Sequence, residues 1–176
     1  MIELRNDMLF KFLGPEGRCA HGGSGSWPLP QNGRPGEWMP WIENLELCVS
    51  GYHVLRKQNL LFWPAETLWT IETRGSVVVA RDKLVVNQAR LLMLVLTWNK
   101  EIARLFACDC AEHVLPLFEK KYPNNKAPRS CIETSRAFAR GNATEKQRDA
   151  ARAAARDAEQ QWQTDRLWEY LTGACG

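Results

Sequence analysis

The rhythm of polar and apolar positions changes near residue 99, and the two rhythms predict different kinds of structure. Before that point the pattern is that of strands and turns. Thr67-Leu68-Trp69-Thr70-Ile71-Glu72-Thr73 alternates polar and apolar side chains, the period of a half-buried strand. Arg74-Gly75-Ser76 reads as a turn into the β-branched run Val77-Val78-Val79, and Asp82-Lys83 as a further turn into Leu84-Val85-Val86. Leu45 to Val49 reads as another strand. Met8 to Leu13 (MLFKFL), apolar but for one lysine, suits a short strand or a turn of helix. Leu55 to Phe62 suits a short helix ended by Trp63-Pro64, and a second helix is expected from near Asn87 through Leu91-Leu92.

After Asn99 the period lengthens. Ile102, Leu105, Phe106, Cys110, His113, Val114 and Leu117 recur at three- and four-residue spacing, which places them on one helical face. Tyr122-Pro123-Asn124-Asn125 ends that helix. Pro128 fits the first turn of the next, whose apolar face is Cys131, Ile132, Ser135, Phe138 and Ala139, with Gly141-Asn142 as its stop. A last helix is expected from Thr144, an N-cap with Gln147 three residues on, to Leu171. Its alanine-rich middle has strong helical propensity. Trp162, Leu167, Trp168 and Leu171 are placed to pack back.

The expected class is α+β: a small antiparallel sheet with a long Gly/Pro-rich ordered loop, followed by a three-helix C-terminal part. The expected division is a β-containing domain over 1–98 and a helical domain over 99–176. The loop, Gly14 to Pro40, is dense in residues that break regular structure. It also carries Trp27, Trp38 and Met39, with Trp41 just beyond, and such side chains offset the cost of ordering a loop only when they are buried.

Composition narrows the function classes. A net charge of +3, spread along 176 residues, argues against a nucleic-acid partner. The longest apolar run, Leu91 to Leu96, is too short to span a bilayer. The N-terminus shows no signal-type region, so the six cysteines are expected to be reduced thiols of a cytoplasmic protein.

The run from Arg104 through Cys108-Asp109-Cys110 and His113 to Pro116 resembles the immunity protein five-like group of bacteria and their phages. Phe118 to Pro123, Pro128-Arg129, Ile132-Glu133 and Arg136 to Gly141 are similar to it as well, as is the alanine-rich last helix. The resemblance covers roughly residues 99 to 172. In the other half, His21 to Pro28, Cys48 to His53 and Trp69 to Gly75 resemble an uncharacterised domain of phage and prophage proteins. Together the resemblances imply a phage or mobile-element setting and a protein partner.

Four constellations could carry chemistry. His21 in His-Gly-Gly, Tyr52 in Gly-Tyr-His, and then Glu72 or Asp82 echo the His–Tyr–acid order of ADP-ribosyltransferases, which implies NAD as cofactor; Gly23 stands where that superfamily usually has Ser or Thr. Cys19, His21, Cys48 and His53 are zinc-type ligands without the tight Cys-x-x-Cys spacing, and a helix cannot present Cys108, Cys110 and His113 together, so no metal is expected. Cys110 with His113 could be a nucleophilic pair, but Asp109 and His113, four apart, more simply form an orienting bond. Finally, Trp27, Trp38 and Trp41 could anchor a binding surface, with Arg148, Arg152 and Arg156 as a stripe on the last helix. The favoured expectation is a non-enzymatic, cofactor-free protein that binds and inhibits another protein, by neutralising a toxin or blocking a bacterial defence system such as CRISPR. The alternative is an ADP-ribosyltransferase-like enzyme using NAD.

Overall fold

A computed structural model of the chain describes residues 4–157. The chain divides into two compact units, Met1–Asn99 and Lys100–Gly176. Strands precede helices, so the fold is α+β.

The first unit is a four-stranded antiparallel sheet of β1 (Leu9–Leu13), β2 (Tyr52–Val54), β3 (Thr67–Val79) and β4 (Leu84–Leu94), in the spatial order β1-β3-β4-β2. The sheet curls until its edges meet: Phe10 and Leu55 exchange two backbone hydrogen bonds of 2.8 Å. Curling leaves β1 covered on both faces. Leu13 packs with Trp27, Val54, Ile71, Leu84, Val86, Ala89 and Leu91, while Phe10 and Phe12 pack with Leu55, Leu68 and Val95. A strand buried on both faces has no polar alternation, which explains the ambiguous MLFKFL run.

The helix expected from Asn87 is a strand: residues 87–94 continue β4, paired with β3 as far as Leu94, with Asn87, Ala89 and Leu91 buried and Gln88, Arg90 and Leu92 only half-buried. Arg74-Gly75-Ser76 does not end a strand either. It forms an irregularity inside β3, where register with β4 slips between Arg74 and Val77. Gly75 sits there at φ +86°, with Asn87 and Trp41 where a Cβ would go. The strand expected at Leu45–Val49 is a turn closed by mutual Glu46 and Ser50 backbone bonds, with Leu47 and Val49 exposed. The short helix expected over 55–62 is a 3-10 turn, Lys57–Phe62.

The Gly/Pro-rich loop is ordered by the sheet. Past Val86 the edge of β4 is no longer paired with β2, and the loop covers it: Gly36, Met39 and Ile42 donate to the carbonyls of Leu91, Ala89 and Asn87 at 2.8, 2.9 and 3.0 Å. Covering an edge strand removes a site of aggregation.

The second unit holds α1 (Lys100–Lys121), α2 (Ala127–Ala139) and a third helix, described over 145–157. Pro128 lies in the first turn of α2. The helix stops at Gly141 (φ +76°), where Gly141 and Asn142 donate to the carbonyls of Phe138 and Ala137. Thr144 caps the third helix reciprocally: Gln147 N–H donates to Thr144 Oγ1 at 3.2 Å, and Thr144 N–H donates to Gln147 Oε1 at 2.8 Å. Trp162, Leu167, Trp168 and Leu171 lie outside the described residues. No helix among the described residues is long and apolar enough to cross a membrane.

Candidate functional site

Among the described residues, each unit presents a feature that its packing leaves open to solvent. In the helical unit it is a face of α1. The residues of α1 that become buried are Cys108 and Leu115, seven apart. Ion pairs join this helix to α2: Arg129 grips Glu119 through two bonds of 2.7 and 2.6 Å, and Arg136 reaches Asp109 at 2.5 Å and Glu112 at 2.9 Å. In place of the bond expected between Asp109 and His113, Asp109 accepts one from Arg136. At 100° per residue, Ile102, Phe106, Cys110, Val114 and Leu117 lie on the opposite side from Cys108 and Leu115, and all are exposed. Leu117 keeps 76% of its surface in water. The apolar periodicity of α1 therefore marks an outward face.

Of the three arginines expected to form a stripe, Arg148 turns inward. It pairs with Glu145 and Asp149 at 2.9 and 2.7 Å, and its guanidinium lies 4.5 Å from the Phe138 ring centroid. Arg152 is exposed, and Arg156 lies 4.0 Å from Asp157.

The three tryptophans separate in the same way. Trp27 is 3% exposed in the core, so it is a packing residue and not a surface anchor. Trp38 is half-buried between the guanidinium groups of Arg74 and Arg90, at 3.9 and 4.5 Å from its centroid. Only Trp41 of the three is exposed, and its indole N–H donates to Glu43 at 2.7 Å.

In the sheet unit the feature is a cavity of about 610 Å³ between the glycine turns. His21 and Tyr52 both line it. His21 Nε2 faces the carbonyls of Trp63 and Pro64 at 3.3 and 3.1 Å, and the Tyr52 hydroxyl donates to the Pro40 carbonyl at 2.8 Å. Burial raises the pKa of Tyr52 above the usual phenol value. The two candidate acids are placed elsewhere. Glu72 pairs with Arg90 across the sheet at 2.6 Å. Asp82 accepts a bond from the Trp63 indole at 3.1 Å, one residue behind the cavity wall.

Cys19, Cys48 and His53 line the cavity too, and among the described residues no three His, Cys, Asp or Glu side chains converge as a metal site. Cys48 adopts φ +65° and aims its N–H at His53 Nε2, 3.2 Å away. His53 thus accepts at Nε2, which requires the neutral ring with its proton on Nδ1. Burial holds its pKa below 6.5, helped by the nearby charges of Lys11 and Lys83 and opposed by Asp82. Two residues of this cavity wall carry little signal in the sequence: Lys11, the lone charge in the apolar run of β1, and Lys83, which reads only as part of a turn.

A pH dependence follows. The unfolded chain takes up a proton near pH 6.5 while folded His53 resists it, so between that pH and the lower folded value the unfolded state binds more protons. Stability is expected to fall as pH drops through that window. His53→Gln keeps an acceptor but cannot titrate, and it should flatten that part of the profile. Urea midpoints measured from pH 8 to 5 check this, and parallel profiles for the two proteins would refute it.

Comparison with curated proteins and with solved structures finds no match. Residues 94–175, which contain the helices described above, match the family described as Imm-5 like putative immunity protein.

Proposed function

We propose that the protein binds another protein through the outward face of α1 and neutralises it, the partner being a toxin or a component of a bacterial defence system. The observation that carries this reading is the exposed row of Ile102, Phe106, Val114 and Leu117 within the segment that matches an immunity family. Burying such a row against a partner releases water from apolar surface that the fold leaves wet, at about 25 cal/mol per Å². Asp109, next to Ile102 around the helix and 69% exposed, gives the row a charged margin, as interfaces with an apolar centre and a polar rim require.

The test is a pull-down from cells that carry the protein, followed by affinity measurement on the captured partner. Val114→Asp with Leu117→Asp places two carboxylates in the row without touching Cys108 or Leu115. Binding should weaken at least about a hundredfold, the effect of losing a central apolar anchor, while the melting temperature stays within a few degrees. Failure to retain a specific partner, or a partner held equally well by the double variant, would sink the reading.

A further inference from the structure

The wall of the sheet-unit cavity contains two lysines, two histidines and no Asp or Glu. Twenty acidic residues were available to this chain, so the segregation calls for an explanation. Lys11 points its ammonium at the His53 carbonyl, 2.9 Å away, and at the face of Trp27, 5.3 Å from the centroid. Among the described residues it has no carboxylate within ion-pair distance. Lys83 is 9% exposed. Its ammonium donates to Cys48 Sγ at 3.2 Å, lies 4.5 Å from the Trp63 centroid, and meets Asp82 only at 3.9 Å.

Two ammonium groups held this way are short of compensation. A carbonyl dipole, a thiol and two indole faces are weaker partners than a carboxylate, and each lysine has surrendered hydration to be there. The loss of hydration at Lys11, together with repulsion from Lys83, holds its pKa below the ordinary lysine value against an opposing contribution from Cys19. An anion entering between the lysines would relieve both costs at once. The rest of the wall suits such a guest: Ser24 and Ser50 supply hydroxyls, and the Gly22-Gly23 turn brings backbone close without side chains.

We propose that this cavity binds a small phosphate-bearing compound, with Lys11 and Lys83 as the two cationic contacts. The site is in the sheet unit and makes no use of the α1 face, so it stands or falls independently of the protein–protein reading. A volume of about 610 Å³ is enough for a phosphate ester with an organic body. Inorganic pyrophosphate and ADP are therefore the probes, since they share the phosphates and differ in that body.

Calorimetry on the full chain at constant ionic strength should detect millimolar or tighter binding of at least one probe, and Lys11→Met or Lys83→Met should weaken it about tenfold or more. Tighter binding of ADP would place the organic body inside the cavity, and equal binding would confine recognition to the phosphates. Alkylation by iodoacetamide gives a second readout in the wild-type protein, in case a variant misfolds. Because Cys48 Sγ lies against Lys83, bound probe should slow its alkylation about tenfold by mass action. Cys110, exposed on α1, serves as the control and should react unchanged. No heat from either probe, affinity indifferent to both lysine substitutions, or equal slowing at Cys48 and Cys110 would overturn the proposal.

Discussion

Trp27→Ala is expected to lower the stability of the sheet unit by about 3–5 kcal/mol, the range for removing a buried aromatic side chain whose cavity does not collapse. The indole is 3% exposed and packs among Leu13, Val54, Ile71 and Leu91. Tyr52 meets it edge-on with centroids 5.5 Å apart, and Lys11 sits over its face. Its backbone is fixed as well, through a 2.9 Å bond from Trp27 N–H to the Gly17 carbonyl. Gly17 has φ +75° and lies so close that a Cβ there would meet the Trp27 carbonyl. The loop therefore delivers this ring to one position. Trp41→Ala is the comparison. With 51% of its surface in water and one bond to Glu43, Trp41 should cost less than about 1 kcal/mol. Urea unfolding followed by circular dichroism separates the two. Equal losses would mean that the loop tryptophans act as one surface cluster, contrary to their burial.

That contrast shows where the sequence was legible and where it was not. The helices of the second unit were readable to within a few residues at most described ends, because proline, glycine and the Thr144/Gln147 box act through local geometry. β4 was misread because the polar pair Asn87-Gln88 and the apolar run Leu91 to Leu94 break the alternation of the sequence, although burial still alternates from Asn87 to Leu92. The slip in register at Gly75 was misread for a different reason. A glycine between strand residues fits a turn or a bulge, and only the partner strand decides between them.

The candidate sites divide similarly. Periodicity placed Ile102, Phe106, Val114 and Leu117 on one face of α1, but whether that face turns inward is a tertiary fact. Here Arg136 and Arg129 of α2 bind the other side of the helix. His21, Tyr52, Cys48 and His53 were all visible as unusual residues in glycine turns, and they do line one cavity. Lys11 and Lys83 were missed as a pair because they are 72 positions apart and meet only when the sheet curls. The one available signal was the charge in the middle of Met8–Leu13, which a core strand does not carry without a reason.

Asn87 joins these elements, and Asn87→Ala is expected to cost about 2–3 kcal/mol, since it strips a partner from three part-buried backbone groups at once. Asn87 is 4% exposed in β4. Its Oδ1 accepts the Ser76 N–H at the irregularity in β3, and its Nδ2 donates to the carbonyls of Ile42 and Glu43 at 2.7 and 3.3 Å. One side chain thus ties the slipped register of β3 to the end of the covering loop. Asn87→Asp sharpens the prediction. It keeps the acceptor for Ser76 but turns a carboxylate oxygen toward two carbonyls, so it should cost at least as much as alanine. Urea midpoints report the loss, and faster cleavage by a glutamate-specific protease at exposed Glu37 would report a loosened loop. If Asn87→Asp were as stable as the wild type, the loop would not depend on the amide. If it is not, the effect should extend to the cavity, because Met39 and Ile42 belong both to the loop and to the cavity wall.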